Sequence, residues 1–173
     1  KDQGGWTALM FAAKKNNIDA VKVLLDKGAD VKVRDPDGWS ALGLAATSGY
    51  SELVGMIIAK GFDANVRASD GKTVLMYAAK SGSVPTITAI LKNGANPNLK
   101  DKLGTTALMI AAREGFTPAV IALLEQGAKI EEEDEHEWTA LTWAVKKDKK
   151  DVAKTLLGRK ADFDHQDSAG TPL

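Results

Sequence analysis

The sequence predicts an all-α repeat solenoid, and four periodic features predict it. Glycines recur at Gly5, Gly38, Gly71 and Gly104, each 33 residues after the last. Leu9, Leu42, Leu75, Leu108 and Leu141 keep that interval. So do the small pairs Ala12-Ala13, Ala45-Ala46, Ala78-Ala79 and Ala111-Ala112, with Ala144-Val145 in the fifth place. The apolar pairs Leu24-Leu25, Ile57-Ile58, Ile90-Leu91, Leu123-Leu124 and Leu156-Leu157 form the fourth series. Independent features sharing one period over five units mark a repeat architecture.

Each unit reads as turn, helix, tight turn, helix. The turn opens with Asp-x-x-Gly, from Asp2 to Gly5, Asp35 to Gly38 and Asp101 to Gly104. Its acid accepts backbone N–H bonds, and its glycine permits a positive φ. Thr7, Ser40, Thr73, Thr106 and Thr139 follow as N-cap hydroxyls just ahead of an apolar run. In the first helix the leucine and the alanines share one face, and the small alanines let a neighbouring helix approach closely. Asn16, Gly49, Gly82 and Gly115 end that helix with residues that tolerate the left-handed conformation. The second helix opens with Asp19, Glu52, Pro85, Pro118 or Asp151, which suit a first turn by charge or by pre-set φ. Val21, Leu24 and Leu25 give its buried stripe, and Gly28, Gly61, Gly94 and Gly127 close it.

A unit this short buries one side of each helix, so stacking must supply a continuous core. The expected units are residues 2–34, 35–67, 68–100, 101–133 and 134–166, within one domain spanning 1–173. Residues 167–173 read as the start of a sixth unit, with Gly170 directly preceding Thr171, one residue shorter than before. A polar capping helix is what such an architecture requires beyond it. At the other end, Lys1 follows no initiator Met or apolar leader, the expectation being a processed form or a fragment.

Composition narrows the function. Lys+Arg and Asp+Glu both number 23, which argues against nonspecific binding to nucleic acid or a membrane surface. There are no cysteines, so disulfides, Cys-based zinc sites and thiol nucleophiles are excluded, while the compartment stays open. No phosphate-binding glycine loop, dinucleotide fingerprint or nucleophile elbow occurs. His136 and His165 are the two histidines, and both are expected exposed in loops between units. The acidic run Glu131 to Glu135 with Glu137 is expected to be a solvated hairpin, because a calcium loop needs a sharp turn and the turn glycine is itself replaced by Glu137. Lys146, Lys147, Lys149 and Lys150, with Asp148 among them, read as an exposed helix end. No catalytic residue, metal or cofactor is expected.

Gly-Trp-Thr-Ala-Leu-Met at 5–10, Gly-Thr-Thr-Ala-Leu-Met at 104–109 and Lys-Gly-Ala-Asp at 27–30 resemble the hallmark segments of the ankyrin repeat, and the likeness covers essentially the whole chain. The resemblance implies paired antiparallel helices, projecting β-hairpin loops and a concave face that recognises protein partners. The departures are informative. Ala8, Ala41, Ala107 and Ala140 stand where the family has proline. Met10, Gly43, Met76, Met109 and Thr142 stand where it has histidine, so the family's Thr–His hydrogen bond is absent and methionine packing is expected in its place. Glu137, Asp148 and Lys160 occupy all three glycine places of the fifth unit. A non-glycine residue at positive φ costs on the order of 1 kcal/mol, so this unit is expected to fray or tilt.

The resemblance also implies six variable places per unit facing the partner: three in the loop, two at the end of the first helix and one just before the next loop. These hold eleven basic residues: Lys14, Lys15, Arg34, Arg67, Lys72, Lys80, Lys100, Lys102, Arg113, Lys146 and Lys147. Five acids oppose them, Asp37, Asp70, Glu114, Glu133 and Glu135, so a neutral chain carries a basic recognition face. One reading is a monomer whose protein partner presents an acidic surface, docking mainly on units one to four. The other is that these lysines only solubilise helix ends. Trp6, Trp39 and Trp138 share one loop place, as binding hot spots or as indoles lying along the neighbouring hairpin to hold register. Trp143, in the series Phe11, Leu44, Tyr77 and Ile110, is expected in the core. The expected function is a non-catalytic protein-interaction scaffold, the alternative being a regulatory or targeting segment of a larger enzyme or secreted effector.

Overall fold

A computed structural model describes residues 1–165; the start of the sixth unit, Asp167 to Leu173, lies outside the described residues. Ten helices among them fall into five pairs: α1 (Ala8–Lys14) with α2 (Ile18–Asp26), α3 (Ala41–Thr47) with α4 (Ser51–Ala59), and α5 (Val74–Ser81) with α6 (Val84–Lys92). The remaining pairs are α7 (Ala107–Glu114) with α8 (Thr117–Glu125), and α9 (Ala140–Lys146) with α10 (Lys150–Gly158). First helices pack on first helices in one layer, and second helices on second helices in another. The alanine pairs of the first layer are buried from Ala12 to Ala144, whereas the second layer is filled by branched residues such as Ile57, Ile90 and Leu123. Smaller residues permit closer spacing, which is the physical origin of a concave first-helix side.

Each first helix starts as its N-cap residue dictates. The hydroxyls of Thr7, Ser40, Thr73, Thr106 and Thr139 each accept the backbone N–H three residues on. The return bond of a capping box normally comes to the N-cap amide from a Glu or Gln. Here methionine sulfur takes that role: the N–H groups of Thr7, Thr73 and Thr106 donate to Met10, Met76 and Met109 Sδ at 3.4, 3.4 and 3.3 Å. Thr142 Oγ1 does the same for Thr139 at 3.3 Å. Gly43 has no side chain to offer. Met10, Met76 and Met109 therefore both fill the core and satisfy an amide, which is more than the packing expected of them.

The left-handed positions fall where the period requires them. Gly82 ends α5 at φ 70° and Gly115 ends α7 at φ 89°. Glu137, Asp148 and Lys160 in the fifth unit and Asn16 in the first take the same conformation at 59°, 52°, 66° and 54°. The fifth unit keeps the fold of its neighbours and holds its non-glycine residues in the strained region.

Two ladders cross between units. Asn65 Nδ2 donates to the Gly94 carbonyl at 3.0 Å while its Oδ1 accepts Asn96 N–H at 2.8 Å. Asn98 repeats both bonds with Gly127 and Lys129. Glu131, at the same place one unit on, can only accept, and takes Asp162 N–H at 3.0 Å. The second ladder uses the place before each loop: Arg67 donates to the carbonyls of Gly71 and Lys100, and Lys100 to that of Glu133. The loops themselves are minimal hairpins, each closed by a backbone pair such as Asp35 N–H to the Trp39 carbonyl at 3.0 Å. One isolated antiparallel bridge, between Arg67 and Thr73, is their only β pairing among the described residues.

Candidate partner-binding face

The loops and the first helices build one continuous face, and aspartates set the loops. Asp2, Asp35, Asp101 and Asp134 each accept the N–H four residues on, at 2.7 to 3.1 Å. Asp35 also accepts the Trp6 indole N–H from the preceding unit at 2.9 Å. Asp134 was expected in a solvated acidic hairpin and is instead 8% exposed, with the Trp143 indole N–H donating to it at 2.8 Å. A carboxylate that organises its own loop must be shielded to do so, and composition alone hid that role. Its neighbours Glu131 and Glu133 do lie exposed. Glu132 is held below its ordinary value, first by the hydrogen bond from Lys100 at 2.8 Å and then, against some burial, by Lys129.

The three loop tryptophans differ in their contacts. Trp6 reaches the next loop through Asp35, and its ring lies 5.0 Å from Phe11. Trp39 lies 4.8 Å from Tyr77 of the next unit. Trp138 stays within its own unit, 5.0 Å from His136 and 4.9 Å edge-on to Trp143, with Lys146 Nζ 4.2 Å over its ring. A contact to the next hairpin is therefore present for Trp6, whereas Trp39 meets helix α5 of the next unit and Trp138 neither. Trp143 is half-buried, packed against the edge of the core with its indole N–H on Asp134, and not wholly inside it as expected. Its counterparts Leu44 and Ile110 are buried, while Phe11 is 47% exposed. His136 is exposed as expected. His165 is not: its side chain is 17% exposed, with Nε2 2.7 Å from the Glu137 carbonyl and Nδ1 3.8 Å from Glu133.

The eleven basic residues divide into two groups. Arg34 is tied to the Gly38 carbonyl at 2.7 Å, Arg67 and Lys100 serve the inter-unit ladder, and Lys72 pairs with Asp70 at 2.7 Å and faces Asp101 at 4.0 Å. Burial would raise the Asp70 carboxyl, but Lys72 more than offsets it and the group stays below its usual value. These four cations organise loops. Lys14, Lys80, Arg113 and Lys146 lie instead in the last turns of α1, α5, α7 and α9, where the helix dipole favours positive charge. Lys15 and Lys147 are exposed next in sequence to Lys14 and Lys146, and Lys102 is exposed in a loop. Arg113 lies 5.3 Å over the Trp143 ring and 3.3 Å from Glu114.

Between units two and four the face opens into a cleft of about 350 Å³, with Trp39, Tyr77, Leu103 and Ile110 as apolar walls and Lys80 and Arg113 as basic ones. Burial first, and the Asp70 carboxylate next, push the Tyr77 hydroxyl up to about 12, so it remains a neutral donor. Among the described residues no group of three or more His, Asp or Glu is placed to hold a metal ion. No helix there is long and apolar enough to cross a membrane.

This geometry defines a class: a two-layer helical repeat protein whose loops and inner helices form one mixed apolar and cationic surface. A family model described as ankyrin repeats (3 copies) matches residues 1–68 and 75–167, and the chain belongs to the ankyrin-repeat family. Ankyrin repeats generally mediate protein–protein interaction and are typically non-catalytic. No curated protein matches the chain.

Proposed function

We propose that this chain is a non-catalytic scaffold, one solenoid domain acting as a monomer, that binds a second protein bearing an acidic surface. The observation that carries the reading is the row of cations ending α1, α5, α7 and α9, in a chain whose total charge is zero. Charge gathered on one face steers a complementary partner and fixes its orientation, whereas charge spread only for solubility would alternate in sign. Lys15, Lys102 and Lys147 extend the field. Arg34, Arg67, Lys72 and Lys100 add to its potential while their head groups hold the loops, and Trp6, Trp39 and Trp138 supply apolar area beside it. The zero total charge supports a protein partner over nucleic acid or a membrane surface.

The test is titration of the partner recovered with the wild-type chain, at low and high salt, against Lys80→Glu, Arg113→Glu and Lys146→Glu combined. We expect affinity to fall at least about tenfold in the triple variant and to weaken with salt. A dissociation constant unchanged by both would overturn the reading. Sedimentation of the free chain as a dimer would overturn the monomer.

A further inference from the structure

We infer that the partner's bound segment is an extended chain with an acidic residue at every third position, and that it seats an apolar side chain in the cleft between Trp39, Tyr77, Leu103 and Ile110. The inference rests on the acidic-partner reading above and deepens it.

Its basis is a register within four of the five first helices. Phe11 precedes Lys14 by three residues, Tyr77 precedes Lys80, Ile110 precedes Arg113 and Trp143 precedes Lys146. Residues three apart on a helix share a face. The stack therefore carries an apolar row beside a cationic row, open at Phe11, Tyr77 and Trp143, sunk at the buried Ile110 and interrupted where Thr47 ends α3. Packed helices lie about 8–10 Å apart, and an extended chain in the polyproline II conformation advances about 3.1 Å per residue and brings every third side chain back to one face, so three residues advance it by about one unit. An acid at every third position then meets Lys80, Arg113 and Lys146 in turn. A helical partner would need about seven residues per unit. The cleft, about 350 Å³, has room for a few side chains, not for a helix about 10 Å across.

The charges around the cleft favour the same occupant. Lys80 has no ion-pair partner among the described residues, and Arg113 pairs with Glu114 at 3.3 Å while lying over the Trp143 ring. Asp70 is neutralised by Lys72, and Asp101 is engaged by the N–H groups of Leu103 and Thr105 at 2.9 Å. Asp37, exposed on the rim, is the acid left to repel the segment.

The test uses the full chain and synthetic twelve-residue peptides of one composition, differing only in spacing: acids at every third position, at every second, or at heptad spacing. Binding is read by calorimetry at low and high salt. We expect the every-third peptide to bind at least tenfold more tightly than the other two. Lys80→Glu with Arg113→Glu should erase that preference. Asp37→Asn, a surface change that leaves the fold alone, should tighten binding severalfold. Equal, salt-sensitive affinity for all three peptides overturns the register and leaves the acidic-partner reading standing. Preference for the heptad peptide overturns the extended conformation. Absence of binding by every acidic peptide overturns both readings, and so does tighter binding of single-stranded DNA than of any peptide.

Discussion

Replacing Asp134 by alanine should cost about 3 kcal/mol, concentrated in the fifth unit. The carboxylate accepts three hydrogen bonds: His136 N–H at 2.9 Å and Trp138 N–H at 3.1 Å on Oδ1, and the Trp143 indole N–H at 2.8 Å on Oδ2. A hydrogen bond to a charged group contributes about 1.5–3 kcal/mol, but the two loop amides regain water once the side chain is gone. Taking the lower figure for each bond and discounting those two by about half leaves roughly 3 kcal/mol in total. Asp134→Asn keeps Oδ1 and sets an amide N–H against the indole N–H, so it should lose about 1.5 kcal/mol. Trp143→Phe removes that conflict, and the double-mutant cycle should return a coupling of about 1.5 kcal/mol. Glu135→Ala, one residue along and exposed, is the control and should stay within about 0.5 kcal/mol. Urea denaturation gives the total. Amide exchange in α9 localises it, because repeats couple mainly to their neighbours. Equal stabilities for Asp134→Ala and Glu135→Ala would refute the anchoring role and return the acidic run to a merely solvated loop.

Three further outcomes follow from the same structure. Gly94→Ala should cost about 1 kcal/mol in urea denaturation, because Gly94 has φ 84° with nothing near an added Cβ. Gly82→Ala should cost about 2–4 kcal/mol, because its Cβ would also meet the Phe116 ring at 2.7 Å; equal costs at the two sites would refute the close approach. Glu132 is held below its ordinary value in the folded state, so its contribution is complete above the unfolded value of about 4.5 and disappears as pH falls through the folded one. Glu132→Gln should flatten part of the loss of urea stability between about pH 6 and 3, Asp70 retaining the remainder with the same sign; an unchanged slope would refute the Lys100 pairing. Lys160→Gly should add about 0.5 kcal/mol, the relief of its positive φ less the extra freedom of glycine in the unfolded chain. Slower amide exchange in α10 would accompany it, and exchange in the fifth unit already as slow as in the second and third would refute the idea that strain loosens this unit.

What the sequence made legible were demands that a short stretch of chain meets by itself. A cap hydroxyl, a left-handed glycine and an apolar stripe each depend on neighbours within about one turn of helix, so Thr73, Gly82 and Leu75 could be placed by spacing alone. What escaped it were side chains whose partner lies a unit away. Asn65 and Asn98 share a 33-residue interval, which is the signal that could have found their ladder. Nothing local, however, says that an amide donates to one neighbouring backbone group and accepts from another. Arg67 shows the consequence for the binding face. By charge it counted as a contact residue, yet its guanidinium is spent on the carbonyls of Gly71 and Lys100. Lys80 carries the same formal charge with no ion-pair partner among the described residues. Charge counting cannot separate a cation that builds the surface from one that it presents, since the difference lies in the next unit's backbone. The proposed basic face therefore narrows from eleven residues to the helix-end row and its exposed neighbours, and the register proposed for the partner rests on that narrowing.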